Sequence, residues 1–547
     1  MKYFEYVVIG AGPAGLQMGY YLENTKKNYI IIERKRVPGS FYRRYPRNRM
    51  LISINKRFTG KKHPDFNLRH DWNSLLTDYH KDHLLFKNYS KEYYPSADSL
   101  LEYLKEYASR YNLKINYKTQ VINISKINSR FVIKTNKDVF ECKYLLIGTG
   151  LSKENVPDYK GKELITTYGK MSMDKNKYKN KNVYIIGLGN SGLETANHLL
   201  DSTSSIHLGH NDSKFAWETH YPGHIRSVNA GYIDSYLLKS QNVIDRIPKQ
   251  IKLELVKENG KINVSMPKNI DDSKTPLLGK KYDYVISCTG FKFDESIFDD
   301  TARPNFNGKL PEMDYDFSSK NIKNMYFIGA LMQYTDFKKC SGAFIHGFRY
   351  YIRTLFRILE YRNHNIMWPN KKINKNLNEL VQYMFHRINT TSGLYQNFGY
   401  LCDIIRIDKD EFTYFYELPY KYHRRFKEIK NSKYLVLTLE YGKSFTHDIL
   451  NPVLTFNPNE AEKSTFLHPI IRYMDKEGEV DMVHIIEDVN AEWYSKQLHH
   501  EPLKEFLKRC IKKREGFSVN ESIMKYVILI IFIYYGTKTI KKIFKRK

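Results

Sequence analysis

Cysteine is scarce in this sequence, with five residues, Cys142, Cys288, Cys340, Cys402 and Cys510, scattered through 547. No CxxC and no histidine cluster at ligand spacing accompanies them. This excludes a legible zinc site or dithiol redox motif, so no metal site is expected and buried thiols are the plain reading. Glycine and proline are also few, 29 and 18, too few for a collagen-like fibre or a disordered polymer. Acidic residues fall short of basic ones, 59 against 88, for a formal net charge of +29. Such a balance points to nucleic acid or to anionic membrane. Lys, Asn, Ile and Tyr are abundant together along the whole chain, however, and no basic arm stands out, so nucleic acid is not an expected partner. The opening MKYFEYVVIGAG runs into a strand pattern without a charged-then-apolar leader, and no secretory signal peptide is expected. At roughly 150 residues per domain the length allows about three or four domains.

What is present begins at once. Tyr6-Val7-Val8-Ile9 leads into Gly10-Ala11-Gly12-Pro13-Ala14-Gly15, then a helical stretch to about Asn24 and a second apolar run, Tyr29 to Ile32, closed by Glu33. This is the βαβ order of a dinucleotide site. Gly10 permits the tight turn, Gly12 lets the backbone approach a pyrophosphate, Gly15 lets the helix pack close, and the helix N-terminus faces the phosphates. Glu33 lies 18 residues beyond Gly15, where a carboxylate can accept from ribose hydroxyls. The pattern returns at Val183 to Ile186, followed by Gly187-Leu188-Gly189-Asn190-Ser191-Gly192, a second expected site. The same count from Gly192 lands on His210, with Lys214 nearby. An acid there would discriminate against a 2′-phosphate, and its absence leans towards NADPH, with NADH possible.

Two apolar strands end in Thr-Gly, at Gly150 and Gly290, and return the chain to the crevice where open α/β sheets bind ligands. A buried-strand pattern ends at Gly329, and Asp336 precedes a helix opened by Ser341, Gly342 and Ala343. These small residues suit a backbone passing near a flat cofactor ring. The expected fold is therefore α/β: two Rossmann-like three-layer dinucleotide-binding domains, the second inserted in the first, with a C-terminal α+β appendage and a hydrophobic tail. The expected boundaries are 1–150 and 291–360 for the first domain, 151–290 for the second, 361–515 for the appendage and 516–547 for the tail. Tyr526 to Gly536 is apolar without interruption and Lys541, Lys542, Lys545, Arg546 and Lys547 follow. Residues 523–547 are accordingly expected to meet a membrane surface from the cytoplasmic face, the endoplasmic reticulum being one candidate.

The two glycine motifs with their Thr-Gly returns make the first 350 residues resemble a class B flavin-dependent monooxygenase of the two-dinucleotide-binding-domain flavoprotein group. Longer phrases, FYRRYPRNRMLISINKRFTG from Phe41, FNLRHDWNSLL from Phe66, GAFIHGFRY from Gly342, TSGLYQNFG from Thr391 and LEYGKSF from Leu439, resemble a family of endoplasmic-reticulum flavoproteins linked to disposal of misfolded proteins. The similarity runs to about Leu507. It implies FAD on Gly10, Gly12, Gly15 and Glu33, a nicotinamide cofactor on Gly187, Gly189 and Gly192, and oxygenation of an unknown substrate. The monooxygenase signature F-x-G-x-x-x-H departs here, with Tyr159 and Gly161 in place but Ile165 at the histidine position. Asn55 and Lys56 are the candidate catalytic residues, the amide of Asn55 serving as a donor near the flavin. A disulfide reductase would need a cysteine pair that the sequence lacks, leaving only Cys340 acting through a sulfenate. An interaction platform, with 361–515 meeting protein partners in a protein quality-control role, is the alternative to turnover.

Overall fold

The computed structural model describes residues 1–78, 83–210, 230–247, 251–267, 280–337, 339–442 and 453–512. The strand Lys2–Ile9 sits centrally because its second half is apolar on both faces, as a parallel strand covered on both sides requires. It pairs in parallel with Tyr29–Ile32 on one side and Val139–Ile147 on the other. The helix Pro13–Asn24, started by proline in its first turn, crosses between the first two. Val139–Ile147 does two jobs. Its first half pairs antiparallel with Arg130–Thr135, and its second half pairs in parallel with Met325–Phe327. The chain thus leaves this sheet after Ile147 and rejoins it at Met325.

The excursion builds a second sheet of five parallel strands in the order Asn242–Arg246, Ser205–His210, Asn182–Ile186, Tyr284–Ser287, Ile165–Thr167. A small antiparallel sheet, Glu254–Glu258, Lys261–Ser265 and Lys281–Tyr282, lies beside it. The inserted arrangement read from the glycine motifs is the one observed.

After the return strand, the helix Ile345–His364 runs across residue 360 into the third unit. That unit is a six-stranded antiparallel sheet, with the helices Leu377–Thr390 and Glu501–Lys512 among its partners. Asn376 caps the first of these by accepting from Asn378 N and Glu379 N. One apolar core runs without a break through the first unit and this sheet, whereas the second unit is filled by two separate clusters, one of which takes in Tyr45 from the first.

A buried arginine, Arg69, bolts the third unit to the first, and a second, Arg349, ties the returning helix to an earlier loop of the first unit itself. Arg69 donates to the carbonyls of Thr391 (2.9 Å), Ile388 (2.5 Å) and Ala491 (3.3 Å), and Arg349 to those of Ser74 and Leu68, both at 2.6 Å. Burial draws the Arg69 guanidinium down to about 10. Below them Glu417 receives Arg353 at 2.7 Å on both oxygens and Arg357 at 3.0 Å, while Arg387 reaches both Glu417 (3.5 Å) and Asp403 (3.0 Å). Burial alone would raise the Glu417 carboxyl, but the three arginines outweigh it and hold it at about 2.

The expected tail, 516–547, lies outside the described residues. Among those that are described, no helix is long and apolar enough to cross a membrane.

Candidate functional site

The first glycine turn is built by contact and by backbone conformation. Gly10 has φ +102°, and a Cβ on Gly15 would lie 1.9 Å from the Gly10 carbonyl oxygen. The helix therefore sits against the strand at a distance only glycine allows. A Cβ on Gly12 would meet nothing within 4 Å. No side chain caps the helix at Gly12, so its first N–H groups remain available to an anion. Glu33 is buried at the end of the second strand and accepts from Ala11 N (3.0 Å), Lys35 N (2.9 Å) and Ser40 Oγ (3.2 Å). Its carboxylate holds the turn as well as standing where a ribose is expected.

The second turn repeats the first. Gly187 has φ +111°, a Cβ on Gly192 would come within 2.2 Å of the Gly187 oxygen, and Gly189 opens on free space. The helix Asn190–Leu199 again starts without a side-chain cap. Gly150 and Gly290 end the two Thr-Gly returns, each with open space where a Cβ would point, and Gly329 abuts Ala14 at the head of the first helix.

Between the turns the segment after the first crosses to the second unit. Arg44 donates to the Gly169 carbonyl (2.8 Å), Arg47 to that of Met171 (2.9 Å), and Arg47 N to the Tyr168 hydroxyl (2.9 Å). The Tyr45 ring stacks on Tyr168 at 5.5 Å and meets Phe291 edge-on at 4.9 Å. A small cleft opens beside this contact, lined by Glu154, Tyr168, Ser191, Thr289, Gly290 and Phe291 among others. Ser191 and Gly290 are the expected residues that line it. Arg44, Arg47, Tyr45 and Tyr168 were not among the expected site residues; the density of arginine and aromatic side chains in FYRRYPRNR was the available signal.

Other expected residues are placed differently from their reading. Asn55 is buried, and its amide donates to the carbonyls of Ser90 (3.0 Å) and Glu92 (3.2 Å). Both donors are spent on the loop, and only the buried Oδ1 makes no hydrogen bond. The donor role read from sequence is therefore corrected to loop anchoring, with an acceptor left over. Lys56 is exposed. Asp336 accepts from Gly342 N (2.8 Å) and the Tyr351 hydroxyl (3.0 Å), and burial pushes its carboxyl up to about 7. A Cβ on Gly342 would collide with its Oδ1 at 2.5 Å, so this pair fastens the turn that opens the Ile345–His364 helix. At that helix, His346 stacks on Trp72 at 4.2 Å.

Ile165 begins an edge strand, opposite Val285, and a Cβ on Gly161 would strike the Leu255 oxygen at 2.1 Å. The remnant of the monooxygenase signature thus packs the second unit. All five cysteines are buried thiols outside any disulfide. Burial drives the Cys340 thiol well above its ordinary range while its Sγ faces the Gln396 carbonyl at 3.2 Å. A thiol held so firmly in its protonated form suits neither sulfenate nor disulfide exchange. Lys214 lies outside the described residues.

A family model for pyridine nucleotide-disulphide oxidoreductases matches residues 7–329. The chain is 36% identical to "FAD-dependent oxidoreductase domain-containing protein 2" of Danio rerio, over 93% of this chain and 83% of that one. It is also 36% identical to the protein of the same name from Mus musculus, over 93% and 84%. A bacillithiol disulfide reductase from Staphylococcus aureus superposes on 66% of this chain and 100% of its own at 19% identity, with a TM-score of 0.49. The chain belongs to the pyridine nucleotide-disulphide oxidoreductase family and, along nearly its whole length, to the family of FAD-dependent oxidoreductase domain-containing protein 2.

Proposed function

We propose that this chain is an NADPH-reduced FAD oxidoreductase of monooxygenase-like character, acting on a substrate that enters the crevice between the two glycine turns. The observation that carries the reading is the matched pair of turns. Each opens a helix of at least ten residues with no side-chain cap and has free space at its middle glycine, and the Tyr45–Tyr168 contact joins the two units that carry them. The first turn fits FAD, with Gly150, Gly329, Gly342 and Asp336 on the returning segments around it, in a unit formed by 1–150 and 291–360. The second fits the nicotinamide dinucleotide, with Asn190 and Ser191 at its helix, in the unit 151–290. NADPH is favoured over NADH by the lack of an acid where the strand Ser205–His210 ends.

FAD, when bound, supplies the electron-accepting chemistry that takes hydride from a nicotinamide and hands electrons on to oxygen. The chain's own part is to bind the two pyrophosphates through turn N–H groups and to fix the angle between the units through Arg44 and Arg47. Tyr45, Tyr168 and Phe291 keep water from the space between. No thiol takes part.

A second reading, a flavin-fold interaction platform of the protein quality-control kind, is favoured by one observation. Asn55, a candidate catalytic residue, spends its amide on carbonyls, and the histidine position of the monooxygenase signature holds Ile165, which begins a strand. The visible absorption spectrum of the full chain separates them. Under the first reading, oxidised-flavin bands bleach on adding NADPH without oxygen and return with air. Bands that persist through NADPH addition reject turnover and direct attention to partners of 361–515.

A further inference from the structure

Apolar side chains coincide with cations on three neighbouring loops far from either glycine turn in sequence. Phe58 is 80% exposed, Val489 69%, Tyr494 61%, Tyr93 49% and Leu498 43%. The loops are tied together. Lys61 Nζ pairs with Glu492 at 2.9 Å and lies 5.9 Å over the Tyr494 ring, and Asn55 N donates to the Tyr93 carbonyl at 2.8 Å. Beneath the exposed residues the backbone is fixed. Trp493 is fully buried, its Nε1 donating to the Ile486 carbonyl (3.1 Å), and it exchanges hydrogen bonds with Asn389 at 2.8 and 3.1 Å. On the other loop Asn67 accepts from Thr59 and donates to the Lys61 carbonyl. Apolar side chains held outward by a buried scaffold leave much of their hydrophobic surface in water, and such exposure marks an interaction site.

The charge around them has one sign in excess. Lys56, Arg57, Lys61, Lys62, Lys91 and Lys496 stand among these residues, against Glu92, Asp488, Glu501 and Glu492, the last already paired with Lys61, while Glu487 is turned inward onto Thr455. The Arg57 guanidinium sits 5.3 Å from the Phe58 ring. Rigid apolar tips ringed by lysine and arginine match the boundary of an anionic bilayer, where acyl chains receive the tips and headgroups the cations. The sequence beyond the helix Glu501–Lys512 also carries the apolar run Tyr526 to Gly536.

We propose that the Phe58, Tyr93, Val489, Tyr494 and Leu498 surface docks on anionic phospholipid membrane, independently of the C-terminal run. The five native thiols are buried, so a cysteine placed at the surface can be labelled selectively. Full-length Phe58→Cys carrying an environment-sensitive fluorophore is mixed with phosphatidylcholine vesicles containing phosphatidylserine. The emission is expected to shift blue and rise severalfold, while the same label at Met367→Cys, exposed but outside this surface, stays unchanged. The triple variant Phe58→Ser, Val489→Ser, Tyr494→Ser is expected to retain its flavin absorption and bind these vesicles at least tenfold more weakly. Vesicle-bound protein with an unshifted Phe58 label overturns the proposal, since the tail alone would then be binding. An equal shift on purely neutral vesicles overturns it as an anionic site. A shift that needs no vesicles and grows with protein concentration overturns it in favour of a second copy of the chain.

Discussion

The two nucleotide units share a turn and differ in almost everything around it. Gly10 and Gly187, Gly12 and Gly189, Gly15 and Gly192 match in dihedral, open space and close approach. Yet the first turn is fastened by the buried Glu33 and its unit shares a core with the third sheet. The second has no acid at the end of its second strand, is filled by two separate clusters, and meets the first through Arg44, Arg47 and an aromatic contact. The contrast teaches that three glycines are enough to set the geometry of a dinucleotide turn. Which ligand it keeps, and how firmly the unit is held, are decided by residues outside the motif.

The largest test of that contrast lies at the anchored side. Glu417→Ala leaves Arg353, Arg357 and Arg387 facing one another in a buried site and is expected to cost about 3–5 kcal/mol in urea denaturation. Loss of the first unit and the third sheet in a single transition would support their common core, and two transitions would refute it.

The same residue predicts a pH effect with a definite sign. Its carboxyl, ordinarily near 4.5, is held at about 2 when folded, so its contribution is complete above pH 4.5 and vanishes as pH falls through 2. On the order of 3 kcal/mol is expected to disappear across that window. Glu417→Gln should flatten the profile.

A paired substitution then asks whether the turns are equivalent. Gly15→Ala and Gly192→Ala each place a Cβ on a carbonyl oxygen and are expected to cost about 2–3 kcal/mol. The first should emerge without flavin absorption. The second should keep its flavin and lose reduction by NADPH. Flavin loss from both would erase the distinction.

Arg47→Ala removes one cross-unit hydrogen bond and is expected to cost about 1–2 kcal/mol, read as earlier melting of the second unit by calorimetry. Smaller still, Glu33→Gln keeps the shape but weakens the hold on Ala11 N. Its effect is expected to be about 1 kcal/mol of stability and roughly fivefold weaker FAD binding by titration.

The parts of this molecule legible in the sequence are those whose causes are local. Gly15 sits within two turns of the Gly10 carbonyl that it approaches, and apolar runs such as Val7 to Ile9 announce central parallel strands by themselves. Asn55 was misread because its amide is claimed by carbonyls 35 and 37 residues away, which no spacing rule reveals. Arg349 is a buried donor to a segment 275 positions earlier, a pairing that its place in GAFIHGFRY does not announce. The arginines and tyrosines of the crevice were visible as composition but not as neighbours of Tyr168 and Met171. The C-terminal run and Lys214 fall outside the described residues.

The arginine seam also bears on how the chain is made. Arg69 finds one carbonyl partner 322 residues downstream and another 422 residues downstream. A ribosome adding about 5–20 residues each second takes tens of seconds to supply them. Through that interval the amino-terminal unit carries a guanidinium without its carbonyl partners and an apolar face without its cover. The flavin fold of this family is therefore finished last at the place where synthesis began, and a nascent chain stalled before the third sheet would present that unfinished face to chaperones.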